Sequence, residues 1–433
     1  MLRFAYRSRP VVLSVALLLV SGVAASAEPN PGPWNGPVVY AGERAGPVTI
    51  SGGSNITTIA SLTVPVGTWV AFAKMDAHVE ELARDVVCEL TSPGEYQRIR
   101  TRAGAAFHEA PGVANVSLNV VHTFTDLPGK FRLRCRAEDP GVTARNVRLI
   151  AMRVGTLTEH SLELGSSTTT GSTKPEVIHA HTQSAVSVDS DNFRSIASLP
   201  LPDGRWWIQA YLSVVETESS GAPIGYECQM TVGGQTDAVD GTLDPGDATM
   251  VSFNIAAIIT PRTTLDDVRV RCKAEFGGAF EAGQMSVTAM KLGTLTRVDL
   301  AGGSTTTSGE GKPVAIHGQR LTAPDLDKTY KNVGEFGFGG SFIASAKITA
   351  IDGETVQCRL RDGLDSDQSM EEYPDYGRTM AMQIASSDSP RIRRTLSVQC
   401  RDPDYASQPA GDVEYVKITA LRLGTLTFRS LTP

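Results

Sequence analysis

Aromatic residues are scarce in this chain, and the local signatures of common catalytic sites are absent. Aromatic side chains make up 6% of the 433 residues, so any aromatic that recurs is informative. The sequence has no G-x-S-x-G elbow, no H-E-x-x-H pair, no P-loop and no glycine fingerprint for a dinucleotide. These absences exclude the enzyme families that carry such motifs, and we expect no cofactor.

Only one long apolar run is present, and it lies near the amino terminus. Arg3, Arg7 and Arg9 precede the run at 11–20, and small residues follow at 25–27. This order is typical of a signal peptide that is cut after residue 27. We therefore expect a secreted, periplasmic or extracellular protein with no membrane span.

The mature chain has no excess of positive charge. Removal of the three amino-terminal arginines leaves 37 basic against 47 acidic residues, a net charge of −10. Acidic charge spread along a chain opposes non-specific binding to nucleic acid, so we expect no nucleic-acid partner. The plentiful Gly, Ser, Thr and Val are typical of a β-rich globular protein.

A threefold repeat is what the sequence does contain. The sequences "MRVGTLT", "MKLGTLT" and "LRLGTLT" begin at residues 152, 290 and 421. The period of about 130 to 140 residues is too long for a solenoid unit and suits an independent domain. The chain thus divides into a signal peptide (1–27), three repeats (28–163, 176–300 and 313–433) and two joints (164–175 and 301–312). The joints are rich in Gly, Ser and Thr, which predicts flexible connectors.

Apolar and polar residues alternate within each repeat. In "FRLRCRA", which begins at residue 131, the apolar residues share one face and the arginines the other, as in a half-buried strand. In the closing strand, "VRLIAMRVG", the alternation slips, which predicts a bulge or burial of both faces. Residues 75–86 could form a helical turn, but their counterparts favour a strand and hairpin. We predict an all-β chain of three tandem antiparallel β-sandwich, jelly-roll-like domains.

The cysteines come in pairs, one pair in each repeat. Six cysteines allow 15 pairings, and the repeat symmetry selects one of them. All six lie on the inward phase of their strands, which favours core disulfides in an exported protein over metal or catalytic sites. The predicted pairs are Cys88–Cys135, Cys228–Cys272 and Cys358–Cys400.

Rows of outward basic residues are the most regular charge feature. A pleated row of guanidinium groups matches repeated anions, so these rows are candidate sites for a sulfated or uronic polysaccharide. The alternative is that they pair with cross-strand acids such as Glu89. The rows are Arg132, Arg134 and Arg136 in the first repeat and Arg269, Arg271 and Lys273 in the second.

The second residue after an aligned glycine is aromatic in every repeat. Trp69, Trp206 and Phe342 occupy it, and small residues at alternate positions favour a core role. Trp207 has no aromatic counterpart and is the candidate for an exposed, ligand-stacking side chain.

Histidines and acidic clusters provide weaker candidates. His179 and His181 would share one face of a strand, but a single uneven pair is more often a surface feature than a metal site. The acidic segments 240–247 and 365–377 lack the spacing of a calcium loop and predict solvated loops. Two carboxylates at glycosidase spacing could lie in such loops.

The order of features in a repeat resembles the jelly roll of the complement and tumour-necrosis-factor-like superfamily. The strand "GTWVAFA", a middle hairpin, the "HTF" strand (His122–Phe124), the cysteine strand and the closing apolar strand carry this resemblance. The units are also similar to those of secreted bacterial repeat proteins. The first resemblance implies trimers around apolar faces, and hence an intramolecular pseudo-trimer of the three repeats.

Two classes of function remain. One is a non-catalytic secreted recognition or structural protein that binds a glycan or a cell-surface protein, with repetition serving avidity. The other is a secreted hydrolase or lyase that acts on polysaccharide through carboxylates in the loops of one repeat. Repeated structural residues beside unrepeated polar clusters favour the first class.

Overall fold

The computed structural model of the chain describes residues 36–432 with short gaps. The gaps are residues 45, 81–82, 105–111, 163–166, 218–221, 261–266, 276, 323–324, 352–354, 364–365, 373–377, 388–392 and 404–411. Within the described ranges the regular elements are all β-strands, as predicted. The predicted signal peptide lies outside the described residues and stays a prediction.

The described residues of each third of the chain contain ten strands. The first third forms β1 (Val38–Arg44), β2 (Val48–Ile50), β3 (Thr57–Val64), β4 (Gly67–Val79), β5 (Arg84–Ser92), β6 (Glu95–Ala103), β7 (Gly112–Phe124), β8 (Gly129–Ala137), β9 (Val142–Val154) and β10 (Thr156–Ser161). The second forms β11 (Ser167–Gly171), β12 (Glu176–Val188), β13 (Arg194–Leu199), β14 (Gly204–Glu216), β15 (Ile224–Val232), β16 (Gln235–Leu243), β17 (Ala248–Ile259), β18 (Val268–Glu275), β19 (Phe280–Leu292) and β20 (Thr294–Asp299). The third forms β21 (Thr305–Ser308), β22 (Val314–Thr322), β23 (Lys331–Gly339), β24 (Phe342–Ile351), β25 (Thr355–Arg361), β26 (Ser366–Glu372), β27 (Arg378–Ser386), β28 (Arg393–Arg401), β29 (Asp412–Arg422) and β30 (Thr425–Phe428).

Every repeat is a jelly-roll sandwich of two sheets. In repeat 1 the front sheet contains β1-β9-β4-β7 and the back sheet contains β3-β8-β5-β6, in that order. Repeats 2 and 3 use the same two orders, with back sheets β13-β18-β15-β16 and β23-β28-β25-β26. The predicted three β-sandwich units are therefore confirmed, and the described residues of 75–86 form strand at 75–79 and 84–86 and no helix.

The two sheets of each repeat enclose one apolar core. The inward residues of "FRLRCRA" are buried in it, as the alternation predicts. The three disulfides join Cys88 to Cys135, Cys228 to Cys272 and Cys358 to Cys400, which confirms the pairing expected from repeat symmetry. Each bridge closes a loop of 42 to 47 residues. Because it restricts the unfolded chain, a bridge of this span stabilises the fold by about 4 kcal/mol in the chain-entropy account.

The recurrent aromatic position lies in these cores. Trp69 and Trp206 are fully buried, and Phe342 is 1% exposed. Each tryptophan donates its indole N–H to a proline carbonyl four residues earlier, Pro65 at 2.9 Å and Pro202 at 2.8 Å. The core role predicted for this position is confirmed.

The closing strands contain both a bulge and a doubly buried stretch. Asn146, Gln284 and Tyr415 have φ near +50° at equivalent points, where the pairing register shifts. Beyond the bulge, successive residues such as Ile150, Ala151 and Met152 are all buried. The slipped alternation in the sequence thus marks a strand that is covered on both faces.

Each Gly-Thr-Leu-Thr segment donates a strand to the next repeat. β10 pairs in parallel with β12, β20 with β22, and β30 with β1, so the donation runs from repeat 1 to 2, 2 to 3 and 3 to 1. The amides of Gly155 and Thr156 donate to the carbonyl of Pro175 at 2.8 and 3.2 Å. A β-carbon at Gly155 would come within 2.4 Å of the Thr173 carbonyl oxygen, so this approach requires glycine. The three donated strands close a ring.

The two joints predicted as flexible connectors contain strands instead. β11 and β21 lie within them and pair in antiparallel fashion with β10 and β20. The donated strand β10, which falls inside the predicted first repeat, also belongs to the front sheet of repeat 2. Low-complexity Thr-rich sequence forms strands here because each joint runs beside the donated strand and completes its hydrogen bonds.

The front sheets of the three repeats share a central apolar core. Val70, Trp207 and Ile343, which occupy equivalent positions on β4, β14 and β24, all belong to it. The rings of Phe72 and Trp207 stack with their centroids 6.3 Å apart. This core is distinct from the three cores inside the sandwiches, which explains why the front sheets are buried on both sides.

Three seams join neighbouring repeats around the ring. In each, the last back-sheet strand of one repeat packs on the front sheet of the next. β6 forms the 1/2 seam, where the Arg100 amide donates to Ser213 Oγ at 2.9 Å. β16 forms the 2/3 seam, where Lys347 Nζ donates to the Ala238 carbonyl at 2.9 Å. β26 forms the 3/1 seam, where Lys74 Nζ donates to the Gln368 carbonyl at 2.6 Å.

Candidate anion-binding face

The outer face of the back sheet of repeat 1 carries two rows of arginine. On β8 the apolar residues are buried and the arginines point outward, and β6 follows the same alternation. Alternate residues on a strand lie about 7 Å apart, and the two rows, separated by β5, lie about 10 Å apart. The rows consist of Arg132, Arg134 and Arg136 on β8 and Arg98, Arg100 and Arg102 on β6. We call these six residues the arginine face.

Two carboxylates on β5 lie between the rows. Glu89 lies 2.5 Å from Arg134 in an ion pair and accepts a hydrogen bond from Arg98 at 3.2 Å. Asp85 pairs with Arg100, and its other oxygen lies 3.8 Å from Arg102. The expected alternative, pairing with Glu89, is thus correct for Arg134, but two carboxylates serve four guanidinium groups.

Arg132 and Arg136 differ from the rest of the arginine face. Both are exposed, and neither forms an ion pair with a described residue. No acidic side chain of the described residues therefore neutralises their charge. Exposed cations at regular spacing attract a polyanion because each contact releases condensed counterions.

In repeat 2, neighbouring side chains of the same repeat contact the cations of the corresponding row. Lys273 lies 2.8 Å from Glu227 and 3.0 Å from Glu275, and these contacts raise the pKa of its ammonium group. Arg271 donates to Gln229 at 3.1 Å, and the ring of Phe193 lies 5.4 Å from both cationic groups. Arg269, Arg271 and Lys273 belong to the separate back sheet of repeat 2.

Repeat 3 covers its cations in a similar way. The ring of Tyr330 lies 3.8 Å from the guanidinium carbon of Arg359 and 4.7 Å from that of Arg401. The pairing registers with the second cysteine of each repeat make Phe193 and Tyr330 equivalent to Ile56 in repeat 1. Ile56 is 48% exposed and supplies no aromatic cover. Repeat 1 alone therefore combines a fully basic row with the absence of a covering ring at this position.

The sequence reasoning missed the β6 half of the arginine face. Arg98, Arg100 and Arg102 alternate in "RIRTR" as clearly as the β8 residues do in "FRLRCRA". The signal was available, but no counterpart exists in repeats 2 and 3, so a search guided by the repeat passed over it.

Trp207, the predicted exposed aromatic, is buried. It is 3% exposed in the central core, and its indole nitrogen donates to Asn254 Oδ1 at 2.9 Å. The prediction was wrong because it treated β14 as covered on one face only, whereas the central core covers the second face. Trp207 is not available to stack on a ligand from solution.

The acidic segment 240–247 is not the solvated loop that the sequence predicted. Asp244 is 4% exposed and Asp247 is 3% exposed, and Asp247 lies 3.1 Å from Arg378 of repeat 3. Burial raises the pKa of the Asp247 carboxyl. The second segment, 365–377, falls partly outside the described residues, but its Asp367 is buried in the 3/1 seam.

The histidine pair forms no metal centre in the described part of the chain. His179 is buried, and its Nδ1 lies 2.8 Å from the hydroxyl of Thr288. Burial, with repulsion from His181, lowers the pKa of His179 to about 3. Among the described residues no group of three or more His, Cys, Asp and Glu side chains is placed to hold a metal ion. The described residues contain no helix that is long and apolar enough to cross a membrane.

Comparisons with known proteins found similarity in structure only. No family model matches the sequence, and no curated protein matches it. The chain is similar to "Life in the extremes: atomic structure of Sulfolobus Turreted Icosahedral Virus", with 10% identity, a TM-score of 0.21 and coverage of 88% of this chain and 91% of that one. It is also similar to the CBM22-1-CBM22-2 tandem domain from Paenibacillus barcinonensis Xyn10C, with 9% identity, a TM-score of 0.18 and coverage of 57% and 93%.

Scores this low carry no argument about function, and the jelly-roll assignment rests on the sheet order itself. The resemblance to the complement and tumour-necrosis-factor-like superfamily is not shown by these comparisons and stays a prediction.

Proposed function

We propose that this protein is a secreted, non-catalytic recognition or structural protein whose arginine face binds a sulfated or uronic polysaccharide. The observation that carries the proposal is the difference between the repeats. Three sandwiches share one back-sheet design, and in two of them acids or aromatic rings of the same repeat occupy the cations. In repeat 1, Arg132 and Arg136 remain exposed and without a described ion pair.

The chemistry of the arginine face suits a linear polyanion better than a single small anion. Its guanidinium groups are spaced about 7 Å along a strand, so successive sulfates or carboxylates of one chain can each meet a planar, bidentate donor. Ion pairs with Glu89 and Asp85 restrain four of the six side chains. Preorganised donors lose less conformational entropy when a ligand binds.

Secretion is consistent with three disulfides in a chain of this size. The alternative, a hydrolase or lyase with carboxylates in the loops of one repeat, gains no positive support. Asp244 and Asp247 are buried, and the carboxylate of Asp247 is paired with Arg378.

The test is binding of the mature protein to immobilised sulfated, uronic and neutral polysaccharides. We expect binding to the acidic polymers that weakens as salt rises, and a loss of about tenfold or more in the Arg132→Glu, Arg136→Glu variant. The matched control is Arg269→Glu, Lys273→Glu, which makes the same charge change at the equivalent positions of repeat 2. Equal losses in both variants would show that net charge, rather than the arginine face, controls binding.

A further inference from the structure

A cleft of about 450 Å³ opens at one end of the arginine face, where repeat 1 meets repeat 2. Arg98, Arg100 and Arg136 line it from the arginine face, and Asp85 and Glu138 add carboxylates. Val87 lies in its lining from β5, and the bulge residue Gln284 of repeat 2 approaches from across the 1/2 seam. The cleft therefore combines cations, hydrogen-bond acceptors and an apolar contact within one small volume.

The same place in the 2/3 seam holds a larger, aromatic residue. The bulge residue there is Tyr415 instead of Gln284, and its ring lies 5.4 Å from Lys347 Nζ. Burial is the largest cause that raises the pKa of the Tyr415 hydroxyl, and the negative charges of Glu414, Asp240 and Glu227 add to it. Asp240 and Glu227 are the counterparts of Arg100 and Val87. An aromatic side chain thus stands beside the two residues whose equivalents line the open cleft.

The charge of the cleft is also unbalanced in comparison with its counterpart. In repeat 2, Glu227 binds Lys273 at 2.8 Å. In repeat 1 the equivalent residues are Val87 and Arg136, so the cation has lost its cross-strand partner. Ile56 in place of Phe193 removes the covering ring as well. Val87 and Gln284 thus line a basic cleft, and Ile56 leaves the Arg136 side of it without an aromatic cover.

One acceptor in the cleft is buried and has no donor. The Oδ1 atom of Asp85 is inaccessible to solvent and accepts no hydrogen bond from a described residue, while Oδ2 is taken by Arg100. Because this oxygen is closed to solvent, a ligand hydroxyl does not reach it, and Asp85 contributes negative charge to the cleft instead. The exposed carboxylate of Glu138 is the acceptor that ligand hydroxyls can reach, so the cleft suits a ligand that has both hydroxyl donors and an acidic group.

We propose that this cleft binds one acidic sugar residue, a hexose ring that bears a carboxylate or sulfate. The acidic group binds Arg136 and Arg98, the apolar face of the ring packs on Val87, and the hydroxyls donate to Glu138. The proposal rests on the proposed function, since it assigns the position at which a polymer held by the arginine face places a residue in a defined orientation.

The experiment measures binding of methyl glucuronide, methyl glucoside 6-sulfate, inorganic sulfate and neutral methyl glucoside by ligand-observed NMR and calorimetry. We expect the two acidic sugars to bind and the neutral sugar not to bind. Comparing the two acidic sugars identifies the acidic group that the cleft prefers. Inorganic sulfate that binds as tightly as the sugars would overturn the proposal, because the ring would then contribute nothing.

Two variants introduce the aromatic residues found at the equivalent positions elsewhere in the chain, Tyr415 and Phe193. Gln284→Tyr introduces the aromatic residue of the 2/3 seam without a change of charge, and Ile56→Phe restores the covering ring at an exposed position. We expect each to weaken binding of the acidic monosaccharides by about tenfold or more. Tyr415→Gln, the reverse change in the 2/3 seam, is the control and leaves binding unchanged. Monosaccharide binding that survives both cleft variants would overturn the proposal.

Polymer binding separates this proposal from the proposed function. If polysaccharide binds wild-type protein and the monosaccharides do not, the arginine face binds polymer and the cleft does not hold a residue. If neither binds, both proposals fail. If monosaccharide binding is lost in Gln284→Tyr while polymer binding persists through Arg132 and Arg134, both stand and their sites are resolved.

Discussion

The 1/2 seam and the 2/3 seam are formed by equivalent strands, but the residues buried at equivalent positions are neutral in the first and charged in the second. In the 2/3 seam the buried Asp237 lies 3.1 Å from Lys347 Nζ and 3.6 Å from Lys417 Nζ. In the 1/2 seam the equivalent residues are Gln97, Tyr211 and Ser286, all neutral and all buried. A buried ion cluster and a buried neutral cluster therefore perform the same joining role within one molecule.

The 3/1 seam shows that the three positions change together. There Asp367 lies 3.2 Å from Lys74 Nζ and 3.4 Å from Arg148 Nε, so both cations are present wherever the carboxylate is. In all three seams the acceptor, whether Asp or Gln, also takes a backbone N–H from its own repeat, at 2.6 to 2.8 Å. Gln97 replaces Asp only where Tyr211 replaces Lys, since a buried charge without its partner is costly.

The largest effect is expected from removal of the shared carboxylate. Asp237→Ala leaves Lys347 and Lys417, each at most 1% exposed, without the carboxylate that lies within 4 Å of both ammonium groups. We expect a loss of about 3–5 kcal/mol in the free energy of unfolding, measured by urea denaturation. The matched variant Gln97→Ala loses only a neutral acceptor for the Asn119 amide and should cost about 1–3 kcal/mol. Equal losses at the two seams would mean that the buried charges make no distinct contribution.

A smaller effect is expected when the whole charged cluster is exchanged for the neutral one. The variant Lys347→Tyr, Lys417→Ser, Asp237→Gln copies the 1/2 seam into the 2/3 seam. Replacing a complete buried ion cluster by neutral groups is often close to neutral, so we expect stability within about 1.5 kcal/mol of wild type. A loss as large as that of Asp237→Ala would show that the neutral cluster depends on other residues of its own seam. The same urea titrations, with the single variants, provide the thermodynamic cycle.

The smallest effect is expected in the acid dependence of stability. His317 lies buried on β22 of repeat 3, and burial and the charge of Lys417 hold its pKa well below 6.5. The unfolded chain therefore binds the extra proton first, so stability is lost as pH falls below about 6.5. His317→Asn, which keeps a polar partner for Thr419, should reduce this slope by up to about 1.4 kcal/mol per pH unit. Urea midpoints at a series of pH values measure it, and His181→Asn is the control. An unchanged slope would mean that His317 takes up no proton on unfolding.

The candidate site could be predicted only in part, for reasons that particular residues make clear. Arg132, Arg134 and Arg136 point outward as their alternation predicts, because strand period alone decides which face a side chain shares. Whether each cation is free depends on residues distant in sequence, such as Ile56 or Phe193, and on one valine that replaces a glutamate. The cleft depends on Gln284, which lies about 150 residues from the arginine rows and meets them only across the 1/2 seam.

By itself the sequence determined the three repeats, the two-sheet sandwich of each and the pairing of the cysteines. These follow from alternation and from spacing within one repeat, and each repeat buries that pattern internally. Only the tertiary structure decided the direction of strand donation, the burial of Trp207 and the charged or neutral chemistry of each seam. The physical reason is that a period-two pattern reports whether a face is apolar, and it does not report whether water or a neighbouring repeat covers that face.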